Sequence, residues 1–471
     1  MKLHCFGATQ EVTGSCYMIE NQSHKILIDC GLFQGIREEE RRNFDPFPFD
    51  PKEIDAVVLT HAHIDHSGRL PILFKQGFKG KIFTHPATHD LCDIMLRDAG
   101  FLNEKDVESE NRKRERKGLD LIEPLYTIKE AIEAMRSFEL IPYDEKHEIL
   151  PNIRIRLLDA GHILGSAIIE IWLSEKGVNR KLVFSGDIGR QELPILKDPT
   201  FVKEADLVIM ESTYGDRDLP HWDETLKEFS RIVEEAMQTK GNILIPSFAV
   251  GRSQEILYSF FTNYDKLPIQ NTYIFLDSPM AIKVTEVYSK HWKLYDKATK
   301  ELIKKSGSPY HVPNLRLTVD TQDSMSINQI KQGAIIIAGS GMCDGGRIRH
   351  HLKHNIWRKN CHLIFVGYQA RGTLGRQILE GAKDIHLWGE RIRVNAHIHT
   401  IDGFSAHADR KTLLKWYGHF ENLPPLALVH GEKASMDSLQ EAIYQKYTVR
   451  AWIPQYKDCY DLIKKSLVKT S

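Results

Sequence analysis

One six-residue stretch, HAHIDH at positions 61–66, limits what this chain can be more than any other. It places His61, His63, Asp65 and His66 directly after the apolar run IDAVVLT, whose β-branched content reads as a buried strand. Residues two apart in an extended segment project to one side. His61 and His63 can therefore share one metal ion, while Asp65 and His66, past the turn, face a second. A lone histidine in such a place is an ordinary core or surface residue. Imidazole and carboxylate groups packed this densely are the ligand types of divalent zinc, and catalytic zinc sites keep one position open for water. One such centre needs more ligands than this stretch holds.

Further candidates stand where other apolar strands end: Asp29 in KILIDCG, His162 in LLDAGHILGS and Asp187 in LVFSGDIG. Strand ends converge on one edge of a sheet, which lets residues distant in sequence share a site. A carboxylate can bridge two metals, and Asp187 is the natural bridge. Two ions about 3.5–4 Å apart can share a hydroxide that is nucleophilic at neutral pH and can neutralise a phosphoryl oxygen.

The first third of the chain reads as short strands with tight turns (KLHCFGA, SCYMIE, HKILIDCG, KIFTHP), and strands return in IRIRLLDAGH, SAIIEIWL, KLVFSGD and ADLVIMEST. Between them, a charge-dense segment at about 98–117, with NRKRERKG, reads as a solvated helix face or loop. From about Thr213 the pattern changes. Four times an apolar strand runs into a Gly- or Pro-marked turn and then a helical stretch, beginning at GNILIP, NTYIFLD, GAIIIAG and CHLIFVG. That alternation predicts a parallel α/β unit. Strand-rich character resumes after Asp384 in RIRVNAHIHT, FSAHAD and PPLALVHGE. The expected organisation is an α/β domain, 211–385, inserted into a domain made from 1–210 and 386–471. The glycine-rich GSGMCDGGR lacks the Lys-Ser/Thr of a phosphate loop and does not fit GxGxxG, so no nucleotide cofactor is expected.

At 471 residues the chain exceeds one ordinary core, in line with that division. Lys+Arg and Asp+Glu both number 63, which removes any general attraction to nucleic acid; such a partner has to be met by a local patch. The seven scattered cysteines form no CxxC pair and read as reduced thiols. The first residues lack a signal-peptide core, and no segment is apolar enough to cross a bilayer. The expectation is a soluble cytoplasmic protein with no membrane partner.

HAHIDH together with Asp29, His162 and Asp187 resembles the metallo-β-lactamase fold, an αββα sandwich that carries a zinc site. GATQEVTGS, ESTYGDR, FSAHAD and LVHGE extend the resemblance over nearly the whole chain to one branch of that fold, the β-CASP nucleases. The resemblance implies an α/β protein, a metallo-β-lactamase sandwich with an inserted parallel β-CASP domain, holding two zinc ions, with manganese as an alternative. His61, His63, His162 and Asp187 would hold the first ion. Asp65, His66, the shared Asp187 and His430 would hold the second. Asp29 would fix the HAHIDH loop by hydrogen bonds. Glu211 of ESTYG would orient His407 of FSAHAD, the general acid or scissile-phosphate contact. Asp65, Asp187, Glu211 and His407 are then the catalytic set. In this branch a histidine at the position of His430 goes with RNA, and no ligand position is replaced, unlike in the inactive scaffolding members.

The function implied is a zinc-dependent ribonuclease that hydrolyses single-stranded RNA, mainly as an endonuclease and with a 5′–3′ exonuclease mode left open. It would act through a hydroxide shared by the metals. The alternatives are a DNA phosphodiesterase, a thioester or lactam hydrolase, and a non-catalytic subunit of an RNA-processing complex; self-association is open too. Backbone phosphates would meet Arg252, Arg347, Arg371 and Arg376, which follow turns of the inserted domain, and Ser340 and Gly341, whose turn amides precede a helix. Seven other histidines that resemble ligands in type or spacing (His85, His89, His350, His351, His354, His397, His399) and Asp159 are expected to lie outside the site.

Overall fold

The computed structural model describes residues 1–468. They form two compact units. The first comprises Met1–Gln191, Asp198–Asp218 and the chain from His407 onward; the second comprises Glu192–Lys197 and Leu219–Ala406.

The first unit is an αββα sandwich. One sheet runs, in order of neighbours, Ser466–Leu467, Cys459–Asp461, Lys2–Cys5, Tyr17–Glu20, Lys25–Ile28, Ala56–Val58, Lys81–Thr84 and Phe138–Leu140. Its last four strands are parallel, and parallel neighbours require crossovers. The helices Leu70–Lys75, Pro86–Glu115 and Ile128–Met135 lie in those crossovers. The second sheet runs Leu426–Val429, Leu207–Glu211, Val178–Phe184, Ala167–Glu175, Ile153–Asp159 and Lys146–Leu150. Alternate residues of both sheets, among them Leu3, Ile19, Ile28, Val58, Ile155, Leu157, Ile169, Phe184 and Ile209, meet in one apolar layer. On the far side of the second sheet, helices Arg410–Tyr417 and Lys433–Tyr447 bury Leu413, Trp416, Met436 and Leu439 against Ile168, Val183 and Met210. Burying one such side chain is worth about 1.5–3 kcal/mol, so each layer is held chiefly by this apolar contact.

The second unit is built on an all-parallel sheet in the order Leu315–Leu317, Tyr273–Asp277, Ala334–Ala338, Ile243–Pro246, His362–Phe365 and His397–Thr400. Four of these strands are the four apolar runs expected to precede helices, and each does. Ala334–Ala338, in the centre, is buried at every position, as a strand covered on both faces must be.

Two local expectations change. FSAHAD contributes no strand: His407 and Asp409 make only isolated bridges, to Gly189 and Tyr214. RIRVNAHIHT ends in His397–Thr400, which pairs in parallel with His362–Phe365 and so extends the second unit's sheet. The compact units therefore change over at 218/219 and 406/407, whereas the sequence divisions were drawn at 210/211 and 385/386. At the first of these, Ser212 Oγ donates to the Val429 carbonyl at 2.7 Å and keeps ESTYG with the first unit.

Asp277, at the end of its strand, is fully buried and ties the second unit together. Its carboxylate accepts hydrogen bonds from Thr318 Oγ1 (2.7 Å), Ser324 Oγ (2.6 Å), Arg347 (2.7 Å) and His351 Nε2 (2.6 Å). Replacing Asp277 by alanine leaves a part-buried guanidinium and a buried imidazole without their acceptor. The expected loss is about 3–5 kcal/mol, read as a lower denaturant midpoint. An unchanged midpoint contradicts this role.

Candidate metal centre

The HAHIDH turn follows strand Ala56–Val58, and Asp29 follows the adjacent strand Lys25–Ile28. Asp29, buried and at φ 61°, accepts from the Thr60 amide (2.8 Å), Thr60 Oγ1 (2.8 Å) and His66 Nδ1 (2.7 Å). Thr60 Oγ1 donates its one hydrogen bond to Asp29, so at 3.0 Å it accepts from His61 Nδ1. One carboxylate thus sets both imidazoles with their Nε2 atoms turned away from it. Gly31 permits the close approach, since a Cβ there would stand 1.6 Å from the Asp65 carbonyl oxygen. Replacing Asp29 by asparagine is expected to weaken metal affinity about 10–100-fold, measured by competition with a chelator. Wild-type affinity would mean the loop is held by other contacts.

His162 comes from the turn after strand Ile153–Asp159, and Asp187 from the turn after Val178–Phe184. His61, His63, His162 and Asp187 bring one ligand atom each to within 4.8 Å of the others. His63 Nδ1 stands 3.1 Å from His61 Nε2 and 3.2 Å from His162 Nε2; Asp187 Oδ2 stands 3.4 Å from His61 and 3.5 Å from His162. Zinc–ligand bonds of about 2.0–2.1 Å to four tetrahedral ligands give edges of roughly 3.3–3.4 Å. The donor set therefore fits one such ion. Burial, reinforced by the neighbouring imidazoles, lowers the His61 pKa to about 3. Burial likewise lowers His63 to about 4 and holds His162 well below the usual histidine range. All three are neutral, as ligands must be.

Asp65, His66 and His430 form a second cluster, with His430 Nε2 at 3.3 Å from Asp65 Oδ2. Asp187 Oδ1 lies 3.3 Å from His66 Nε2 and 3.6 Å from His430 Nε2, so the two carboxylate oxygens of Asp187 face the two clusters. Among the described residues none makes a hydrogen bond to buried Oδ1, an acceptor that a cation would satisfy. Burial works against charge on His66, but Asp187, Asp29 and Asp65 outweigh it and hold its pKa well above the usual value. A metal bound at this cluster would displace that proton. His430, at φ 52° after strand Leu426–Val429, is fixed through its Nδ1 by Thr213 Oγ1 at 3.1 Å.

His407 stands beside the clusters. Its Nδ1 is 3.2 Å from Glu211 Oε2 and 3.9 Å from Asp187 Oδ2. Glu211, fully buried at the end of strand Leu207–Glu211, is itself held by the Ile188 amide at 2.6 Å. Burial alone would depress the His407 pKa, but Glu211 above all, with Asp187 and Asp65, raises it to about 9. His407 can therefore carry a proton at neutral pH next to two sets of candidate metal ligands.

The predicted phosphate contacts all belong to the second unit. Arg252 is buried and pairs with Glu255. Arg347 donates to Asp277 and to the Thr318 and Val319 carbonyls (3.0 and 2.6 Å). Both guanidinium groups thus have structural work that local sequence did not reveal. Arg376 pairs with Glu380 at 2.7 Å on the surface, and Arg371 is exposed. Ser340 Oγ accepts from the Gly345 amide at 3.1 Å; a Cβ at Gly341 would stand 2.6 Å from the Phe248 ring.

Thr60 and Thr213 went unnoticed in the sequence. The only signal was adjacency, to His61 in one case and to ESTYG in the other. Of the histidines left aside, His85 caps the helix Pro86–Glu115 through Ala87, and His351 holds Asp277.

A sandwich with paired His/Asp clusters on one edge and an α/β unit nested in its sequence defines a class of metal-dependent hydrolase. Three family models match the chain: Metallo-beta-lactamase superfamily over 9–127, Beta-Casp domain over 253–378, and Zn-dependent metallo-hydrolase RNA specificity domain over 391–454. Ribonuclease TTHA0252 of Thermus thermophilus is 38% identical over 439 residues, covering 93% of this chain and 95% of that protein. Transcription termination factor FttA of Methanococcus maripaludis is 32% identical, covering 96% of this chain and 70% of that protein. A crystal structure of a protein of unknown function from Enterococcus faecalis V583 matches at a TM-score of 0.53 with 13% identity, over 97% of this chain and 99% of that one, which speaks to the fold alone. The chain belongs to the β-CASP branch of the metallo-β-lactamase superfamily.

Proposed function

We propose that this chain is a metal-dependent ribonuclease that cleaves single-stranded RNA internally. The observation that carries the reading is the convergence of His61, His63, His162, Asp65, His66 and His430 on the two oxygens of Asp187, with the Glu211–His407 pair alongside. Two zinc ions would be held there, the first by His61, His63, His162 and Asp187, the second by Asp65, His66, His430 and Asp187. Such a pair supplies charge neutralisation for a phosphoryl oxygen and a nucleophile at neutral pH. Nothing in the donor set bars manganese.

The chain's own residues do the rest. Asp29 and Thr60 engage the Nδ1 atoms of His61 and His66, which leaves each Nε2 facing the metal position. Glu211 orients His407 and keeps it protonated, so that it can touch the scissile phosphate or give its proton to the departing alkoxide. Ser340, Gly341, Arg371 and Arg376 are the substrate contacts we carry forward, because Arg252 and Arg347 are engaged within their own unit. RNA as the substrate class is supported by the named relatives and by the RNA specificity model over 391–454. The seven cysteines are free and buried, which fits the reducing cytoplasm; among the described residues no helix is long and apolar enough to cross a membrane.

A circular single-stranded RNA has no ends. Its linearisation by the purified protein, with the matching DNA circle left intact, is the expected result. An untouched circle beside a degraded linear 5′-phosphorylated RNA would replace the endonuclease by an exonuclease. Equal cleavage of the DNA circle would favour the broader phosphodiesterase.

A further inference from the structure

The helix Pro86–Glu115 is thirty residues long, yet its buried positions stop at Gly100. From Phe101 to Glu123 every residue is exposed or half-exposed. The segment after the helix nevertheless folds back along it. The Asn111 side chain donates to the Ile122 carbonyl and accepts from the Ile122 amide, each at 2.9 Å, and Arg114 bonds the Asp120 carbonyl. This is a formed arm, and it displays Phe101 (45% exposed), Leu102 (51%), Leu119 (50%), Leu121 (58%) and Ile122 (38%). Large apolar groups gathered on one exposed element mark a contact surface.

The charges say what covers it. Along the helix and its end, Glu104, Asp106, Glu108 and Glu110 precede Arg112, Lys113, Arg114, Arg116 and Lys117; Lys105 and Glu115 break the segregation there, and Asp120 and Glu123 follow in the returning segment. A polyanion such as RNA would meet acid and base in nearly equal measure and gain little. A second, antiparallel copy of the arm meets base with acid twice, once at each end of a two-fold axis. Folded back beside Asn111 and Arg114, Leu119, Leu121 and Ile122 of each copy then lie close to the two-fold axis, near their counterparts in the other. We propose that the arm 101–123 is a self-association surface through which two copies of this chain pair antiparallel.

Sedimentation equilibrium of the full chain tests it. Two variants leave the main intrahelical pairs of Glu108 and the backbone bond of Arg114 in place: Glu104→Lys/Asp106→Lys/Glu110→Lys, and Lys113→Glu/Arg116→Glu/Lys117→Glu. The wild type is expected to dimerise, more weakly at high salt. Each variant alone should show a dissociation constant raised about tenfold or more, and an equal mixture of the two should recover the dimer. Leu119→Ser/Leu121→Ser, confined to exposed positions, should weaken the dimer without a change of charge. Circular dichroism on each variant confirms that the arm is still helical. A monomeric wild type, charge variants that dimerise as tightly as the wild type, or a mixture that stays monomeric would each overturn the proposal. So would an RNA-affinity loss confined to the variant of the basic half in a monomeric protein.

Discussion

Replacing Asp187 by asparagine lowers RNA cleavage by roughly a thousandfold or more, with the fold retained. The side chain keeps its shape and loses the charge that two clusters share. Its Oδ2 closes the set of His61, His63 and His162, and its Oδ1 faces His66 and His430. Burial works against a charged Asp187, but His430, His66 and His61 around it hold its pKa well below the usual carboxylate range, so the native group is an anion at any working pH. A neutral amide cannot balance either cluster, and zinc per chain is expected to fall with the rate. Single-turnover cleavage and metal analysis on the same preparation measure both. A rate within tenfold of wild type would remove Asp187 from the centre of the site.

Replacing His407 by alanine costs about 10²–10⁴-fold in rate, with zinc content unchanged. That contrast separates a proton donor or phosphate contact from a ligand. His407 also lies near Asp187 and groups with it and His430 as a possible ligand set, so loss of zinc in this variant would assign it to the metals instead. The pH dependence gives a second reading. His407 is protonated below its pKa of about 9 and loses the proton as pH rises through that value. Activity that needs the protonated form is therefore present at neutral pH and falls on the alkaline side. Glu211→Gln removes the foremost group that raises this pKa, and the alkaline limb should move to lower pH. A limb that does not move would mean that a group other than His407 sets it.

The residues of the two candidate clusters were legible because each stands where an apolar run stops, and a strand's end is a local pattern. Which sheet a strand joins is not local. His397–Thr400 looks like any short strand in RIRVNAHIHT, and only its partner His362–Phe365 shows that it belongs to the second unit. The arginines were opaque for a similar reason. A guanidinium after a glycine turn reads the same whether it meets a phosphate or a buried carboxylate, and Asp277 lies 70 residues from Arg347. Thr60 and Thr213 were missed because a threonine beside a ligand carries no pattern of its own. Their hydroxyls matter only once Asp29 and His430 are seen to converge on them.

The most direct test is a zinc titration of metal-free protein, with bound zinc and cleavage of end-labelled single-stranded RNA followed together. The account predicts no cleavage without metal, a full complement of two zinc ions per chain, and cleavage that rises as the second site fills. RNA cleavage by the metal-free protein, or two bound ions with the RNA left intact, would contradict it.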